Sequence, residues 1–159
     1  KAWSRGLSHE LTGPDEDYGL VGDVDKVNPK IITELQQDNF IPVIAPIGID
    51  RKDKPHNINA DLVAGAIAAS LKAEKLLVLT DVKGIRDAKK RHLSTLSRKD
   101  VESMAKKGTI SEGMLPKVRS CIRGLEGGVR KAHIIDGRVP HAILLEIFTD
   151  KGIGTEIVA

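Results

Sequence analysis

The sequence has a single cysteine, only four aromatic residues and no long apolar run among its 159 residues. One cysteine, Cys121, excludes an internal disulfide framework and a multi-cysteine zinc site. Four aromatic side chains are too few for the stacking platforms with which RNA-recognition domains bind bases. No apolar run approaches the roughly 20 residues that span a bilayer. These absences argue against a disulfide-stabilised protein, a zinc-ribbon protein and a helical membrane protein.

The charges are nearly balanced, with 25 Lys and Arg against 22 Asp and Glu, which leaves a formal net charge of +3. Because this excess is small and dispersed, it does not require a nucleic acid partner. With 40% apolar residues, a chain of this length can bury a substantial core as one compact domain. The composition therefore predicts a soluble, cytoplasmic α/β protein that binds neither nucleic acid nor membrane.

Apolar periodicity and turn residues predict helices and strands in alternation. We expect one helix to begin after Asn28, which can cap it, and Cys121 to be a small buried residue of a later helix. Residues 1–22 are predicted to be irregular and residues 48–57 to form a polar loop. The remaining predicted helices cover 59–73, 97–107, 114–125 and 140–148, and the predicted strands cover 40–47, 75–80, 131–135 and 155–158. Such alternation favours a three-layer αβα sandwich with a mainly parallel sheet.

Polar segments follow the predicted strands at residues 48–61, 80–87 and 136–138. In open α/β sheets, ligands bind beyond the carboxyl ends of the strands, so these segments are candidates for chemistry. Neither a GxxxxGK[ST] phosphate loop nor a GxGxxG dinucleotide motif is present. Residues 23–28 resemble the start of a calcium loop but lack its Gly and terminal Glu. The basic run at residues 89–92 favours an exposed hairpin tip over a nucleic acid contact.

Three short segments carry residues suited to binding an anion. Residues 57–61 (NINAD) place amides and a carboxylate at a helix N-terminus, where they either cap the helix or bind a ligand. Residues 80–85 (TDVKGI) turn at the end of a strand, and the glycine there permits close backbone approach. Residues 113–118 (GMLPKV) place a lysine one turn inside a helix. Each segment alone is an ordinary structural feature.

The order of these segments, followed by GIGTEI at residues 152–157, closely resembles the amino acid kinase family. Together with IPVIAPI at residues 41–47, it resembles the branch that acts on N-acetyl-L-glutamate. The resemblance implies a nucleotide-binding lobe at residues 19–159, preceded by a poorly matching segment at 1–18. It also implies a C-terminal half, because the family's Gly-rich phosphate segment and another essential lysine precede the matching region. The resemblance further implies a homo-oligomer, either a dimer or a hexamer.

The resemblance implies transfer of the γ-phosphoryl of ATP to the side-chain carboxylate of N-acetyl-L-glutamate in arginine biosynthesis. By position, Lys117 would neutralise charge in the transition state, Asp61 would orient catalytic lysines and Asn57 would bind the acyl substrate. Mg²⁺ would be held by phosphates and water, with no dedicated protein ligands. The residues expected to frame the nucleotide are Thr80, Asp81, Gly84, Gly113 and Met114.

The C-terminal segment at residues 141–155 resembles the signature of arginine-sensitive members of that branch. The resemblance implies an inhibitory L-arginine site at His133, Glu146 and Gly152. A carboxylate can pair with a guanidinium group, although a buried histidine and an exposed helix glutamate would also explain these residues. Two alternatives stay open: a related kinase acting on an aminoadipate derivative or on aspartate, and a non-catalytic arginine-sensing module.

Overall fold

The computed structural model describes residues 2–3 (backbone only), 19–150 and 152–159, so most of the predicted N-terminal segment at 1–18 lies outside the described residues. Strands and helices are interspersed along the described part of the chain, with several strands consecutive in sequence. The strands are β1 (Ala2–Trp3), β2 (Val21–Val24), β3 (Ile47–Ile49), β4 (Pro55–Ile58), β5 (Lys75–Thr80), β6 (Thr95–Ser97), β7 (Lys131–Asp136) and β8 (Thr155–Val158). The helices are α1 (Lys30–Gln37), α2 (Ala60–Leu71), α3 (Arg98–Lys106), α4 (Leu115–Glu126) and α5 (Ala142–Phe148), with a 3-10 turn at Glu112–Met114.

The strands form two four-stranded sheets, ordered β1-β2-β4-β3 and β5-β7-β8-β6. In the second sheet β5 and β7 are parallel and in register from the Lys75–Lys131 pair to the Thr80–Asp136 pair. The pairs β2–β4 and β6–β8 are also parallel, whereas β1–β2, β3–β4 and β7–β8 are antiparallel. Because β5 and β7 run the same way, the polar residues that follow them meet at one edge of the sheet.

Helices cover both faces of β7, which confirms the predicted α/β class. On one face, Ala132 and Ile134 belong to the same core cluster as Val118 and Cys121 of α4. On the other face, His133 contacts Glu146 of α5. Alternate residues of a strand point to opposite faces, so the two helices lie on opposite sides of the sheet. This is the layer arrangement expected from alternating strands and helices.

Cys121 is fully buried in α4, as predicted. Burial, reinforced by the nearby Asp61 carboxylate, raises the pKa of this thiol to about 12. The thiol therefore stays protonated at neutral pH and serves as a small packing group rather than as a nucleophile.

The predicted buried strand at residues 40–47 is wrong. Only its last residue belongs to a strand, and Ile41 and Val43 are 91% and 96% exposed. Pro42 and Pro46 explain the failure, because each lacks the N–H group that a strand ladder requires and restricts the residue before it. The predicted polar loop at 48–57 is instead the β3–β4 hairpin, and the predicted irregular stretch at 1–22 contains β1 and the start of β2.

Local signals set the ends of several helices. The side chain of Asn59 accepts hydrogen bonds from the backbone N–H groups of Asp61 and Leu62, so Asn59 is the N-cap of α2. Ser97 and Asp100 form a reciprocal capping box at the start of α3. At α1 the cap position is Pro29, one residue later than expected, while Asn28 accepts a hydrogen bond from the Lys30 N–H. In the described ranges no helix is both long and apolar enough to cross a membrane.

Candidate active site

An ion pair joins the first turns of α2 and α4 at the edge where β5 and β7 end. The Nζ of Lys117 lies 2.9 Å from Oδ2 of Asp61, and the two side chains are 20% and 22% exposed. Asn59 caps α2 two residues before Asp61, and Pro116 lies in the first turn of α4 one residue before Lys117. The two helices pack along each other, so groups 56 residues apart in the sequence come into direct contact.

A cavity of about 390 Å³ opens beside Lys117. The turn after β5 forms one wall with Thr80 and Asp81, and the segment before α4 forms another with Gly113 and Met114. The structure thus brings the lysine, the strand-end turn and the segment before α4 to a single cavity. An ammonium group at the wall of a cavity is suited to an anionic ligand.

A second cavity of about 270 Å³ adjoins the first, and Met114 lines both. Gly84 lines this second cavity and not the first, whereas Gly113 lines only the first. The predicted nucleotide residues are therefore divided between two connected spaces. The residues lining the smaller cavity are Val82, Gly84, Ile85, Arg86, Asp87, Lys90, Thr109, Ile110, Ser111 and Met114.

Residues 109–111 were missed by the sequence reasoning, although they line the smaller cavity and Ser111 lines both. They connect α3 to the 3-10 turn and carry no motif of their own. The available signal was the pair Gly108-Thr109, since the glycine ends a helix and binding residues are found disproportionately in the loops between elements. Gly108 does end α3, with φ of +68°.

The turn after β5 is attached to the last strand of the sheet through Thr155. The backbone N–H of Ile85 donates to Oγ1 of Thr155 over 2.8 Å, and the same hydroxyl donates to the carbonyl of Leu93 over 2.6 Å. Gly84 has φ of +137°, and a Cβ there would collide with Oγ1 of Thr155. The GIGTEI segment thus has a structural role at the smaller cavity, because its threonine holds the turn in place.

Asn57 lies at the carboxyl end of β4, two residues before the cap of α2, and is exposed. Its backbone N–H donates to the carbonyl of Leu20, so the backbone position is set by β2. Asn57 lines neither of the two cavities. Its amide is therefore available beside the helix N-terminus but is not part of the cavity that contains Lys117.

A charged pair lies at the end of β7, at the same edge of the sheet. Arg138 donates to both carboxylate oxygens of Asp136, over 3.0 and 2.9 Å, and its backbone N–H donates to Oδ1. These hydrogen bonds from Arg138, with a smaller contribution from Lys83, lower the pKa of Asp136 to about 2. The N–H of Gly137 donates to the carbonyl of Thr80, which connects this pair to the turn beside the larger cavity.

His133, Glu146 and Gly152 are brought together on the opposite face of β7. The Nδ1 of His133 lies 2.7 Å from Oε1 of Glu146, and both side chains are buried. The other carboxylate oxygen accepts the backbone N–H groups of Ile153 and Gly154. A Cβ on Gly152, which has φ of +58°, would lie 2.8 Å from this carboxylate. The three residues thus form one buried cluster, separated from Lys117 by the sheet.

Two opposing effects set the pKa of Glu146. Burial raises this pKa, but the hydrogen bonds from Ile153, His133 and Gly154 together lower it by more. The net pKa is therefore below its ordinary value. The carboxylate is therefore ionised at neutral pH. The Nε2 of His133 is buried and lacks a hydrogen-bond partner among the described residues. An unpaired ring nitrogen beside an ionised carboxylate leaves a polar position that a ligand or a water molecule could occupy.

The basic run at residues 89–92 lies at an exposed hairpin tip, as predicted. Asp87 accepts hydrogen bonds from the backbone N–H groups of Lys89 and Arg91 and from the Arg91 guanidinium. These bonds lower the pKa of Asp87. Part of the positive charge at the tip is thereby neutralised.

The cavities offer few ligands for a metal ion. Across the described ranges, no group of three or more His, Cys, Asp or Glu side chains could together hold one. Asp81 is the carboxylate residue that lines the larger cavity; Asp61 pairs with Lys117 and does not line it. Mg²⁺ keeps several water ligands and takes one or two carboxylates together with substrate phosphates. The donor set at the cavity therefore fits a magnesium ion that arrives with a nucleotide.

Comparisons with known proteins agree with this geometry. The model of the amino acid kinase family matches residues 3–136. Acetylglutamate kinase of Sulfurihydrogenibium sp. is 57% identical over 141 residues, which cover 89% of this chain and 47% of that protein. Acetylglutamate kinase of Aquifex aeolicus is 56% identical over 147 residues, which cover 92% of this chain and 49% of that protein. The chain thus spans about half the length of these relatives.

Solved structures share the fold. N-acetylglutamate synthase of Neisseria gonorrhoeae, complexed with coenzyme A and L-arginine, has a TM-score of 0.84 at 27% identity; the match covers 99% of this chain and 35% of that one. Carbamate kinase of Giardia lamblia, bound to AMP-PNP, has a TM-score of 0.68 at 22% identity, with coverage of 87% and 46%. At that identity the second likeness concerns the fold alone.

Proposed function

This chain belongs to the amino acid kinase family, and we propose that residues 19–159 form the nucleotide-binding lobe of an enzyme that phosphorylates N-acetyl-L-glutamate. The reaction would transfer the γ-phosphoryl of ATP to the side-chain carboxylate, producing an acyl phosphate for arginine biosynthesis. One observation carries the proposal: Lys117, paired with Asp61, lines the cavity that the turn after β5 also lines. The relatives that are 56% and 57% identical, both acetylglutamate kinases, support the choice of substrate.

This chemistry needs no general base. A glutamate-type carboxyl has a pKa of about 4.3 and is already ionised at neutral pH, so it can attack the phosphoryl group directly. The obstacle is electrostatic, because two anions must approach each other while a loose phosphoryl group is held in line. Preorganised cations and amide donors lower that barrier. An ammonium group at the cavity wall, as Lys117 provides, is the kind of group the reaction requires.

In this proposal Lys117 neutralises charge on the transferring phosphoryl group, and Asp61 orients the lysine without contacting the nucleotide. The 2.9 Å contact supports both roles, because the carboxylate fixes the ammonium group at one position. Asn57 binds the acyl substrate through its amide. The residues that frame the nucleotide are Thr80, Asp81, Gly84, Gly113 and Met114.

Mg²⁺ would be held by phosphates and water in the larger cavity, with no dedicated protein ligand. When bound, the ion supplies positive charge against the phosphate oxygens. The protein's own contribution is to keep the lysine and the backbone amides of the turn in place around those oxygens.

The test is to replace Lys117 with Ala in the protein expressed from its complete coding sequence. We expect kcat to fall by a factor of about 10² or more with a much smaller change in the KM for ATP. Arg119→Ala is the matched control, since it removes an exposed cation two residues away in α4. An unchanged kcat in Lys117→Ala would remove this lysine from the active site and overturn the proposal.

Asp61→Asn separates the catalytic proposal from a purely structural role of this acidic residue in the first turn of α2. A large loss of kcat with an unchanged melting temperature supports a role in orienting Lys117. A lower melting temperature with unchanged kcat would show that Asp61 acts only on the helix. Assays with N-acetyl-L-glutamate, an aminoadipate derivative and aspartate on the same enzyme distinguish the proposed substrate from those of related kinases.

We further propose that L-arginine inhibits the enzyme at the cluster of His133, Glu146 and Gly152. The support is an ionised, buried carboxylate beside an unpaired ring nitrogen, together with the relative that was solved with L-arginine. Calorimetric titration of the complete enzyme tests this, and no heat at millimolar L-arginine would refute it. We also propose a cytoplasmic homo-oligomer, either dimer or hexamer, which sedimentation velocity can determine.

A further inference from the structure

Ser120 occupies the same face of α4 as Lys117, three residues further along the helix. Residues three apart in a helix are neighbours on its surface, so both side chains point toward α2. Lys117 is partly exposed at the cavity, whereas Ser120 is fully buried between the two helices. Ser120 therefore cannot touch a substrate, and any effect it has on the reaction must pass through another residue.

The hydroxyl of Ser120 donates to the main-chain carbonyl of Asp61, the residue whose carboxylate receives the Lys117 ammonium. Helix α4 thus contacts one residue of α2 at two points, once through the side chain and once through the backbone. A serine inside a helix commonly bonds a carbonyl of its own preceding turn, but this hydroxyl bonds a neighbouring helix instead. This bond ties a side chain of α4 to the backbone of α2 beside the ion pair.

Gly65 makes this contact feasible. It lies one turn after Asp61 in α2, and a Cβ there would be 2.6 Å from the backbone oxygen of Ser120 and 2.7 Å from its Oγ. The two helix backbones therefore approach more closely than any other residue at position 65 would allow. A glycine opposite a serine, at the level of the ion pair, places a rigid backbone contact beside a flexible lysine.

Packing alone does not require the hydroxyl. Alanine would fill nearly the same space at position 120 and has a higher helix propensity than serine. A buried hydroxyl would cost free energy if it lacked a partner, and here its partner is the residue that holds the lysine. The feature that distinguishes serine from alanine at this position is thus the bond to Asp61.

We propose that Ser120 is a positioning residue that fixes the Lys117 ammonium at the cavity by locking α4 to the first turn of α2. This inference rests on the proposed function, because it assumes that Lys117 acts in phosphoryl transfer. Lysine has four rotatable side-chain bonds, so the ion pair by itself would persist even if α4 shifted relative to α2. The Ser120 bond prevents that displacement at the level of the backbone.

The experiment measures kcat and KM for Ser120→Ala in the complete enzyme, alone and combined with Lys117→Ala. A displacement of about 1 Å can cost a factor of about 10² in rate, and the ion pair remains in the variant, so we expect kcat to fall about tenfold. The KM for ATP should stay within about twofold, because the turn after β5 is held by Thr155 instead. In the Lys117→Ala background, Ser120→Ala should have no further effect on kcat.

Cys121→Ala is the matched control, since it truncates the adjacent, equally buried residue of α4 without removing a bond to Asp61. It should lower the melting temperature and leave kcat unchanged. If Ser120→Ala does not fold, Ser120→Cys can replace it, because the thiol is a weaker hydrogen-bond donor. In that variant kcat should fall by less than the tenfold loss expected for Ser120→Ala.

Two results would overturn the inference: an unchanged kcat in the folded Ser120 variant, or an equal loss of kcat with and without Lys117. Either result, together with a large loss in Lys117→Ala, would refute the role of Ser120 and leave the proposed function intact. An unchanged kcat in Lys117→Ala would instead refute the proposed function itself.

Discussion

Replacing Gly65 with Ala sets helix propensity against the packing of two helices. Alanine in the middle of a helix is favoured over glycine by about 1 kcal/mol, so an isolated α2 would become more stable. In the folded protein the new Cβ would lie 2.6 Å from the backbone oxygen of Ser120. Restoring an ordinary contact near 3.4 Å requires the helices to separate by roughly 0.8 Å.

This separation decides whether Gly65→Ala raises or lowers the free energy of unfolding. The nearest atoms belong to the backbone and fixed side chain of Ser120 and cannot move aside as a flexible chain end would. Overpacking of this kind costs about 1–3 kcal/mol, which exceeds the propensity gain. We therefore expect the free energy of unfolding to fall by about 1 kcal/mol, and the melting temperature by a few degrees.

The separation also acts on the reaction. A shift of roughly 0.8 Å stretches the bond between Ser120 and Asp61 and moves Lys117, so kcat should fall by about an order of magnitude. Thermal unfolding and steady-state kinetics on the complete enzyme measure both effects. Ser70→Ala is the control, since it adds propensity at an exposed position of α2. A Gly65→Ala enzyme with undiminished stability and kcat would refute the reasoning about the helix contact.

Two further predictions concern the edge of the sheet. Gly84→Ala should weaken nucleotide binding about tenfold, because it introduces a side chain at φ of +137° against Thr155. Gly108→Ala is the control, since its φ is +68° but its side chain would point into open space. Equal nucleotide affinity in the two variants would contradict this prediction. Asp136→Asn should change how the melting temperature depends on pH under acidic conditions. Because Arg138 lowers the pKa of Asp136 to about 2, the stabilisation is present above the ordinary pKa of 3.8 and is lost as the pH falls toward 2. Melting temperatures of wild type and variant should therefore converge between pH 4 and pH 2, whereas parallel curves would be contrary to this assignment.

Several features of the fold could be predicted from neighbouring residues alone. The cap of α2 at Asn59 and the end of α3 at Gly108 follow from side-chain hydrogen bonding and from backbone freedom, which act within a few residues. The strands at 75–80 and 131–135 were predicted from short apolar runs, and the structure places β5 and β7 there. Where a local cause suffices, reading the sequence was enough.

Local sequence patterns failed to predict conformations and contacts that depend on a partner strand or on a distant segment. The apolar run at residues 40–47 has the composition of a buried strand, yet its prolines deny it a ladder and most of it is exposed. Residues 109–111 line the smaller cavity only because the fold returns them to Gly84. The prolines of the first segment were a local warning, whereas the cavity contacts of the second depend on the groups that it meets in the folded chain.

The sequence by itself determined which residue types were available, their order, and the helices that carry Asp61 and Lys117. The tertiary structure alone decided that Lys117 meets Asp61 across 56 residues and that Thr155 holds the turn at Ile85 across 70. The physical reason is the distance along the chain over which each kind of interaction acts. Capping and periodicity act over a few residues of backbone, whereas these contacts exist only after packed helices and paired strands have brought distant segments within hydrogen-bonding distance.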